Sequence, residues 1–199
     1  MAGLKIISWN LLHTTGAGIE NVLELIALEQ PDLLLMQEAT SPIDKLPERI
    51  GGAYARIVLP GRAHGLAAWS PLAFQSPAIS LPLQRGFIVR RVCQIVDIGP
   101  FTVANVHLSH GQVLNRRQLR QIVKILPECA AILGDCNMVG PPWLPGFTDV
   151  GARKPTHRSA RVIPLRLDRC FVRGLTCLEA RTLNRGKSDH RPLLVILAA

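Results

Sequence analysis

The sequence predicts an α/β protein built on mixed sheets, and three observations carry that reading. Stretches with apolar residues at helical spacing alternate with runs apolar at every position, the pattern of strands covered on both faces. Between residues 54 and 96 the chain instead breaks into short strand candidates divided by Gly and Pro, as hairpins do. Four strand-like runs also end in a polar group: Asn10 after Leu4 to Trp9, Glu38 after Leu33 to Met36, His107 after Thr102 to Val106, and Asp135 after Ala130 to Leu133. The closing run, Leu193 to Leu197, has its polar pair, Asp189-His190, ahead of it. If that strand is antiparallel to the other four, acid, amide and imidazole converge on one rim.

Taken in order, Leu4 to Trp9 is the first strand, and a loop with His13, Gly16 and Gly18 follows. Ile19, Val22, Leu23 and Ile26 recur opposite Glu20 and Glu24, which predicts a helix to about Glu29, stopped by Pro31. Ser41-Pro42 starts a short helix, Ser41 capping and Pro42 at the first position, that ends at Gly51-Gly52. Tyr54 to Leu59, Gly65 to Trp69, Ala78 to Leu83 and Phe87 to Val96 read as an antiparallel meander. Gly99-Pro100 turns the chain into Phe101 to Leu108, where Asn105 and His107 share one face. Val113, Leu119, Ile122, Val123 and Leu126 mark a second helix whose wet side carries Arg116, Arg120 and Lys124. Pro141 to Gly146 and residues 149 to 163 are predicted as loop, and Leu165 to Val172 with Cys177 to Leu183 as a hairpin. No repeat or composition break divides residues 1–199, which are expected to form a single domain.

A hydrophobic content of 48% supports a substantial core at this length and excludes a disordered chain. No apolar run is long enough to cross a bilayer, and the start leads directly into the first strand, so a soluble, cytoplasmic monomer without stable membrane association is expected. Five cysteines, Cys93, Cys129, Cys136, Cys170 and Cys177, lack CxxC spacing and sit mostly in apolar runs, which predicts free thiols. Cys136, between Asp135 and Asn137, is either an oxidisable thiol at the rim or a side chain the pleat turns inward. The net charge of +9 is uneven: residues 1–100 hold 8 Lys/Arg and 8 Asp/Glu, and 101–199 hold 15 and 6. Arg153, Arg158, Arg161, Arg166, Arg169 and Arg173 cluster around Asp168, and guanidinium groups suit phosphate, so a polyanionic partner is favoured over a merely solvated surface.

Each polar strand end is weak evidence alone, because Gly134-Asp135-Cys136-Asn137 is also an ordinary turn composition and a lone histidine is more often structural. The ordered set is specific. With Ile7-Ser8-Trp9-Asn10, Pro31 to Glu38, Asn105-Val106-His107-Leu108, Gly134 to Asn137, Arg166-Leu167-Asp168-Arg169 and Ser188-Asp189-His190 all in place, the chain resembles the endonuclease/exonuclease/phosphatase superfamily of deoxyribonuclease-I-like metal phosphoesterases. The resemblance covers nearly the whole chain. It implies a four-layer α/β sandwich, two mixed sheets face to face with helices outside.

It further implies that Glu38 binds a divalent cation, Mg2+ with Mn2+ as the alternative, and that Asn10 and Asp189 help to hold it or its waters. Asp135 is then the group that deprotonates the attacking water, Asn137 the amide that fixes water or phosphate, and His190 the catalytic imidazole with Asp168 on its other nitrogen. His107 adds to the charge stabilisation at the phosphate. The chain departs from the pattern in two places. Leu12 stands where some nuclease members carry a second metal-side carboxylate, and Tyr54 does not match a phosphate-contacting tyrosine, for which Arg85 is the replacement candidate. Nucleic acid is the favoured substrate. A phosphorylated metabolite or inositol phosphate, a phospholipid headgroup approached through Pro142-Trp143-Leu144, and a non-catalytic polyanion-binding module are the alternatives.

Overall fold

The computed structural model of the chain describes residues 3–86, 89–159 and 162–199. In chain order its elements are β1 (Leu4–Asn10), α1 (Ile19–Glu29), β2 (Leu33–Thr40), a 3-10 turn (Ser41–Lys45) running into α2 (Leu46–Ile50), β3 (Ala53–Val58), β4 (His64–Ser70), β5 (Ile79–Pro82), β6 (Val92–Asp97), β7 (Thr102–His107), α3 (Gln112–Val123), β8 (Ala130–Asp135), β9 (Thr148–Asp149), β10 (His157–Ser159), β11 (Ile163–Leu165), β12 (Asp168–Arg173), β13 (Thr176–Thr182) and β14 (Leu193–Ala198).

Two six-stranded mixed sheets result, ordered β13-β14-β1-β2-β4-β3 and β5-β6-β7-β8-β12-β9, with β10 and β11 pairing separately. Each sheet is antiparallel apart from one central parallel pair, β1/β2 and β7/β8. Parallel neighbours need a crossover where antiparallel ones need only a turn, and α1 and α3 are those two crossovers. Gly18 opens α1 with its N–H donating to Asn21 Oδ1 (3.3 Å), and Gln30, left-handed at φ 47, closes it ahead of Pro31. The sheets face each other through Ile6, Leu33, Leu35, Val103, Leu133 and Val195. Ile7, Leu34 and Met36 turn outward onto Val22 and Leu25 of α1, while Val106 and Ile132 turn outward onto Leu119 and Ile122 of α3. Alternate residues therefore serve opposite faces that are both covered, which is why Leu33–Met36 and Ala130–Leu133 are apolar throughout. The four layers match the expected sandwich.

A polar seam crosses the inter-sheet core directly behind the rim. Gln37 donates to Ser8 Oγ (3.0 Å) and Asn105 Oδ1 (2.8 Å), and Asn105 Nδ2 lies 3.0 Å from Gln94 Oε1 and 3.1 Å from Ala67 O. All four side chains are fully buried. Gln37 is next to Glu38 and Asn105 is two residues before His107, so the seam ties the two sheets together beneath the polar strand ends.

Several local expectations change. The pair β12 and β13 is not a hairpin, since the strands belong to different sheets. Gly174, at φ 63, redirects the chain between them, and each strand finds a long partner, β8 from Asp168↔Asp135 to Arg173↔Ala130 and β14 from Thr182↔Leu193. The meander divides likewise, β3 and β4 closing one sheet and β5 and β6 opening the other. Its last candidate begins at Phe87, outside the described residues, and the strand itself starts at Val92. Residues 149 to 163 include β10 and the start of β11, a short hairpin whose His157 bridges His190. Thr40, rather than Ser41, occupies the cap position before Pro42. Among the described residues, no helix is long and apolar enough to cross a membrane.

Candidate active site

β14 runs antiparallel to β1, with Ser8 opposite Leu193, and β12 antiparallel to β8, with Asp168 opposite Asp135. The ends of β1, β2, β7 and β8 therefore meet the beginnings of β12 and β14 on one rim. A cleft of about 340 Å³ opens there, and its walls include Asn10, Glu38, His107, Asp135, Asn137, Asp189 and His190. Asp168 lies behind His190. Arg85 is exposed in the loop after β5 and is not part of the wall.

Three wall residues, Leu12 (φ 57), Glu38 (φ 58) and Asn137 (φ 47), have left-handed backbones, a conformation costing roughly 1–2 kcal/mol for a residue with a Cβ. Such strain persists only where the surroundings impose it. At Glu38 the cause is a bulge: the β2/β4 register shifts between Gln37 and Ala39. The extra residue breaks the alternation, so Gln37 stays in the core while Glu38 swings to the rim. At Asn137 the carbonyl accepts from Asn115 Nδ2 (2.9 Å) and Gln112 Nε2 (3.1 Å), and the side-chain amide donates to Leu108 O (2.9 Å).

The polar groups form a continuous line. His190 Nδ1 lies 2.8 Å from Asp168 Oδ2, and its Nε2 faces Asp135 Oδ2 at 3.7 Å. Asp135 Oδ2 accepts from Asn10 Nδ2 (3.0 Å) and sits 3.4 Å from His107 Nε2, while Oδ1 accepts the Asn137 N–H (2.9 Å). His107 Nε2 is 4.0 Å from Glu38 Oε1, and Glu38 Oε2 is held by the His13 backbone N–H (3.1 Å) and the His13 ring. The His190 segment is pinned from below: Trp9 Nε1 donates to His190 O (3.2 Å), and Ser188 Oγ donates to Asn10 O (2.6 Å) while accepting the His190 N–H (3.1 Å).

Burial and neighbours set the protonation states. Burial lowers the His190 pKa, but the Asp168 and Asp135 carboxylates outweigh it and push the ring up to about 10. Burial holds His107 well below the usual imidazole range, with the Arg91 charge adding to the effect, so that ring is neutral. Asp135 is raised by burial despite the His190 charge and the bonds from Asn137 and Asn10. Burial also acts to raise Glu38, yet its bonds from His13 prevail and hold it below the ordinary carboxylate value. Cys136 turns into the core, where burial drives its thiol up, so the inward-facing alternative holds.

The sequence reading missed Arg91, His13 and His157. Arg91 lies in the stretch expected to be a strand after Arg85, but its guanidinium is buried, its Nε lacks a hydrogen-bond partner among the described residues, and its charge is felt at Asp135 and Glu38. Adjacent Arg90 is exposed, so no local pattern distinguishes the two. Arg153, Arg166, Arg169 and Arg173, near Asp168, have structural partners, Arg153 donating to Asp149 O at 3.3 Å. Arg166 and Arg169 both grip Asp149 (2.7 and 3.0 Å), and Arg173 reaches Leu126 O and stacks on Phe147 at 4.7 Å. Arg161 lies outside the described residues.

Glu38, Asn10 and Asp189 line the cleft with side chains that carry oxygen, the donor type a hard cation takes, and among the described residues two His/Asp groups have metal-ligand spacing: Asp135/Asp168/His190 and His157/Asp189/His190. Several solved structures share this architecture. An endonuclease/exonuclease/phosphatase from Bacteroides vulgatus superposes with TM-score 0.83 at 15% identity, over 100% of this chain and 99% of that one. D. rerio TDP2 complexed with single strand DNA product gives 0.81 at 17%, over 100% of each. ANGEL2, a 2′,3′-cyclic phosphatase, in complex with adenosine-2′,3′-vanadate, gives 0.73 at 14%, over 98% and 95%. No curated protein sequence matches the chain. At these identities the superpositions establish the fold. The sequence profile of the Endonuclease/Exonuclease/phosphatase family matches residues 7–190, from the middle of β1 to the histidine that faces Asp135 across the cleft, and the chain belongs to that family.

Proposed function

We propose that the protein is a divalent-metal-dependent phosphodiesterase that cleaves a nucleic-acid end or a nucleotide by in-line attack of water. The observation that carries this reading is the Asp168–His190–Asp135 line, in which a charged imidazole and a carboxylate of raised pKa lie 3.7 Å apart in the wall of the cleft. Two such groups side by side supply a proton acceptor and a proton donor at neutral pH.

Asp135 is the base. Asn10 and Asn137 fix both of its oxygens, and its raised pKa makes it a better proton acceptor than an exposed carboxylate. His190 presents its Nε2 proton to the phosphoryl group or the leaving oxygen, and Asp168 keeps the ring charged and oriented. Neutral His107 and the amide of Asn137 border the same space, and buried Arg91 adds positive potential from behind. Glu38 would hold the cation, with Asn10 and Asp189 contributing directly or through water. Glu38 Oε1 makes no hydrogen bond to a described residue, and a few hard oxygens beside an open cleft are what Mg2+ takes while it keeps its own waters. Bound there, the cation supplies charge neutralisation at the phosphoryl oxygens.

The neighbours carrying single-strand DNA product and an adenosine vanadate favour nucleic acid or nucleotide, as does the net charge of +9. The cleft volume, at the small end for ligand sites, suits a strand end or a single nucleotide, and for the same reason a small phosphorylated metabolite is the second reading. The test is turnover of single-stranded oligonucleotides, nucleotides and soluble phosphoesters with Mg2+. The expected result is metal-dependent product release, abolished by chelation and by Asp135→Asn. Absence of metal-dependent turnover on every substrate would overturn the proposal, and turnover confined to soluble monoesters would select the second reading.

A further inference from the structure

His157, Asp189 and His190 gather on the β14 side of the cleft. His157 on β10 and His190 just before β14 oppose each other in an antiparallel bridge, and the neighbouring bond from Arg191 N–H to Thr156 O (2.7 Å) fixes that register. Directly opposed residues project to one face of a sheet, and here the two rings lie 4.4 Å apart with a 41° tilt. His157 Nδ1 is 3.6 Å from Asp189 Oδ2, and one ligand atom from each of the three residues lies within 4.8 Å of the other two. His157 Nδ1 and Asp189 Oδ1 are buried atoms without a hydrogen-bond partner among the described residues. Proteins rarely leave such atoms unpaired, and two of them at the wall of an open cleft point to a ligand that pairs both.

We propose that His157, Asp189 and His190 form a site for Zn2+ or a similar transition-metal ion, sharing only Asp189 with the cation site at Glu38 and Asn10, and that filling it stops hydrolysis. Two imidazoles and one carboxylate are donors that zinc accepts readily, whereas Mg2+ takes oxygens. Zinc holds such ligands tetrahedrally at 2.0–2.2 Å, which sets adjacent donors about 3.3–3.5 Å apart. The 3.6 Å already present between His157 and Asp189 is close to that, so side-chain rotation suffices to close the site. Asp168 on His190 Nδ1 is the carboxylate support that metal-bound imidazoles have, and it leaves Nε2 to coordinate. Coordination through Nε2 occupies its lone pair and releases the ring proton to solvent. His190 then has no N–H to offer a phosphate. The binding half of the proposal stands on the cluster alone, and the inhibitory half rests on the hydrolase reading.

Chelator competition on the full chain with Zn2+, with and without millimolar Mg2+, reads binding independently of turnover. The expected result is one zinc per chain that Mg2+ does not displace. Affinity should fall at least about 100-fold, the upper range for weakened metal sites, in His157→Phe, which keeps a ring against His190, and in His157→Gln. Circular dichroism verifies that both variants fold. Equal affinity in wild type and variants, or displacement by Mg2+, overturns the site. In the activity arm, zinc inhibition of the wild type survives excess Mg2+ and weakens in His157→Phe by the factor seen in binding. Zinc bound with turnover unchanged overturns the inhibitory half alone. Zinc bound with no turnover under any condition overturns the hydrolase reading and leaves the site standing.

Discussion

The two sheets follow one plan, each with a central parallel pair joined by a helix and each sending two polar strand ends into the cleft, but of the four ends Asn10, His107 and Asp135 are buried and Glu38 alone stays partly open. On the β1/β2 side Glu38 keeps 15% of its side chain accessible, on a bulge with a left-handed backbone. On the β7/β8 side Asp135 and His107 keep 3% and 4%. The same topology thus yields two electrostatic environments. The more open acid has a lowered pKa and stays ionised, as a cation ligand must. The closed one has a raised pKa, as a general base needs, and the adjacent histidine is neutral.

That division is broken most directly at Asp135. Asp135→Asn keeps the shape and one of the two accepted hydrogen bonds while removing the proton acceptor, and kcat should fall by about 10³-fold, within the usual range for a general base. Adding His190→Gln should cost little more, since groups acting as a unit are not additive. Comparable single and double losses, read by single-turnover assay, would support the closed side acting as one device. Full multiplication would separate its members. Glu38→Gln, on the open side, should lower activity by roughly 10²-fold at a fixed metal concentration, with part recovered as Mg2+ or Mn2+ is raised, because the carboxylate's charge sets cation affinity. Titrating metal against both variants sharpens the contrast: only Glu38→Gln should respond. If Asp135→Asn recovers equally, the two sides are not distinct.

A third variant bears on the proton itself. The His190 ring is raised from 6.5 to about 10, so its contribution to stability is fully present below pH 6.5 and is lost as pH rises through about 10. Activity that needs the charged ring should fall over the same alkaline limb. Asp168→Asn should lower the ring pKa and move that limb to lower pH, as followed by NMR titration of the imidazole, whereas Glu38→Gln should leave it in place. A His190 pKa insensitive to Asp168 would remove the paired carboxylate from the account.

Much of this was legible in the sequence for one reason: the polar strand ends follow largely apolar runs, and β14 reads as a strand preceded by its own polar pair. Asn10, Glu38, His107, Asp135, Asn137, Asp189 and His190 accordingly line one cleft, with Asp168 behind. What was illegible depends on partners distant in sequence. The β12–β13 turn resembles a hairpin until β8 and β14 are there to claim the two strands. Arg166, Arg169 and Arg173 resemble part of a phosphate-binding patch until Asp149 and the 126–127 carbonyls occupy them. Arg85 and Arg91 are equivalent by composition, and only burial distinguishes them. His157 sat in a stretch without periodicity, because a three-residue strand is too short to show any.

The smallest expected effect asks whether the two sides are coupled through the core. Asn105→Ala removes the central member of the polar seam, leaving Gln37 Nε2 and Gln94 Oε1 each without one buried partner. Unpaired buried groups cost about 1–3 kcal/mol, which in a domain of this size corresponds to a melting temperature lower by roughly 2–12 °C. Gln37 retains its bond to Ser8, and Glu38 is aimed by the β2/β4 bulge rather than by the seam. Each sheet therefore holds its own half of the cleft, and kcat at a temperature where the variant is folded should change by less than about threefold, under 1 kcal/mol. A loss approaching that of Asp135→Asn, with the fold intact by calorimetry, would mean that the seam sets the spacing between Glu38 and His107, and that the contrast between open and closed sides depends on the contact between the sheets.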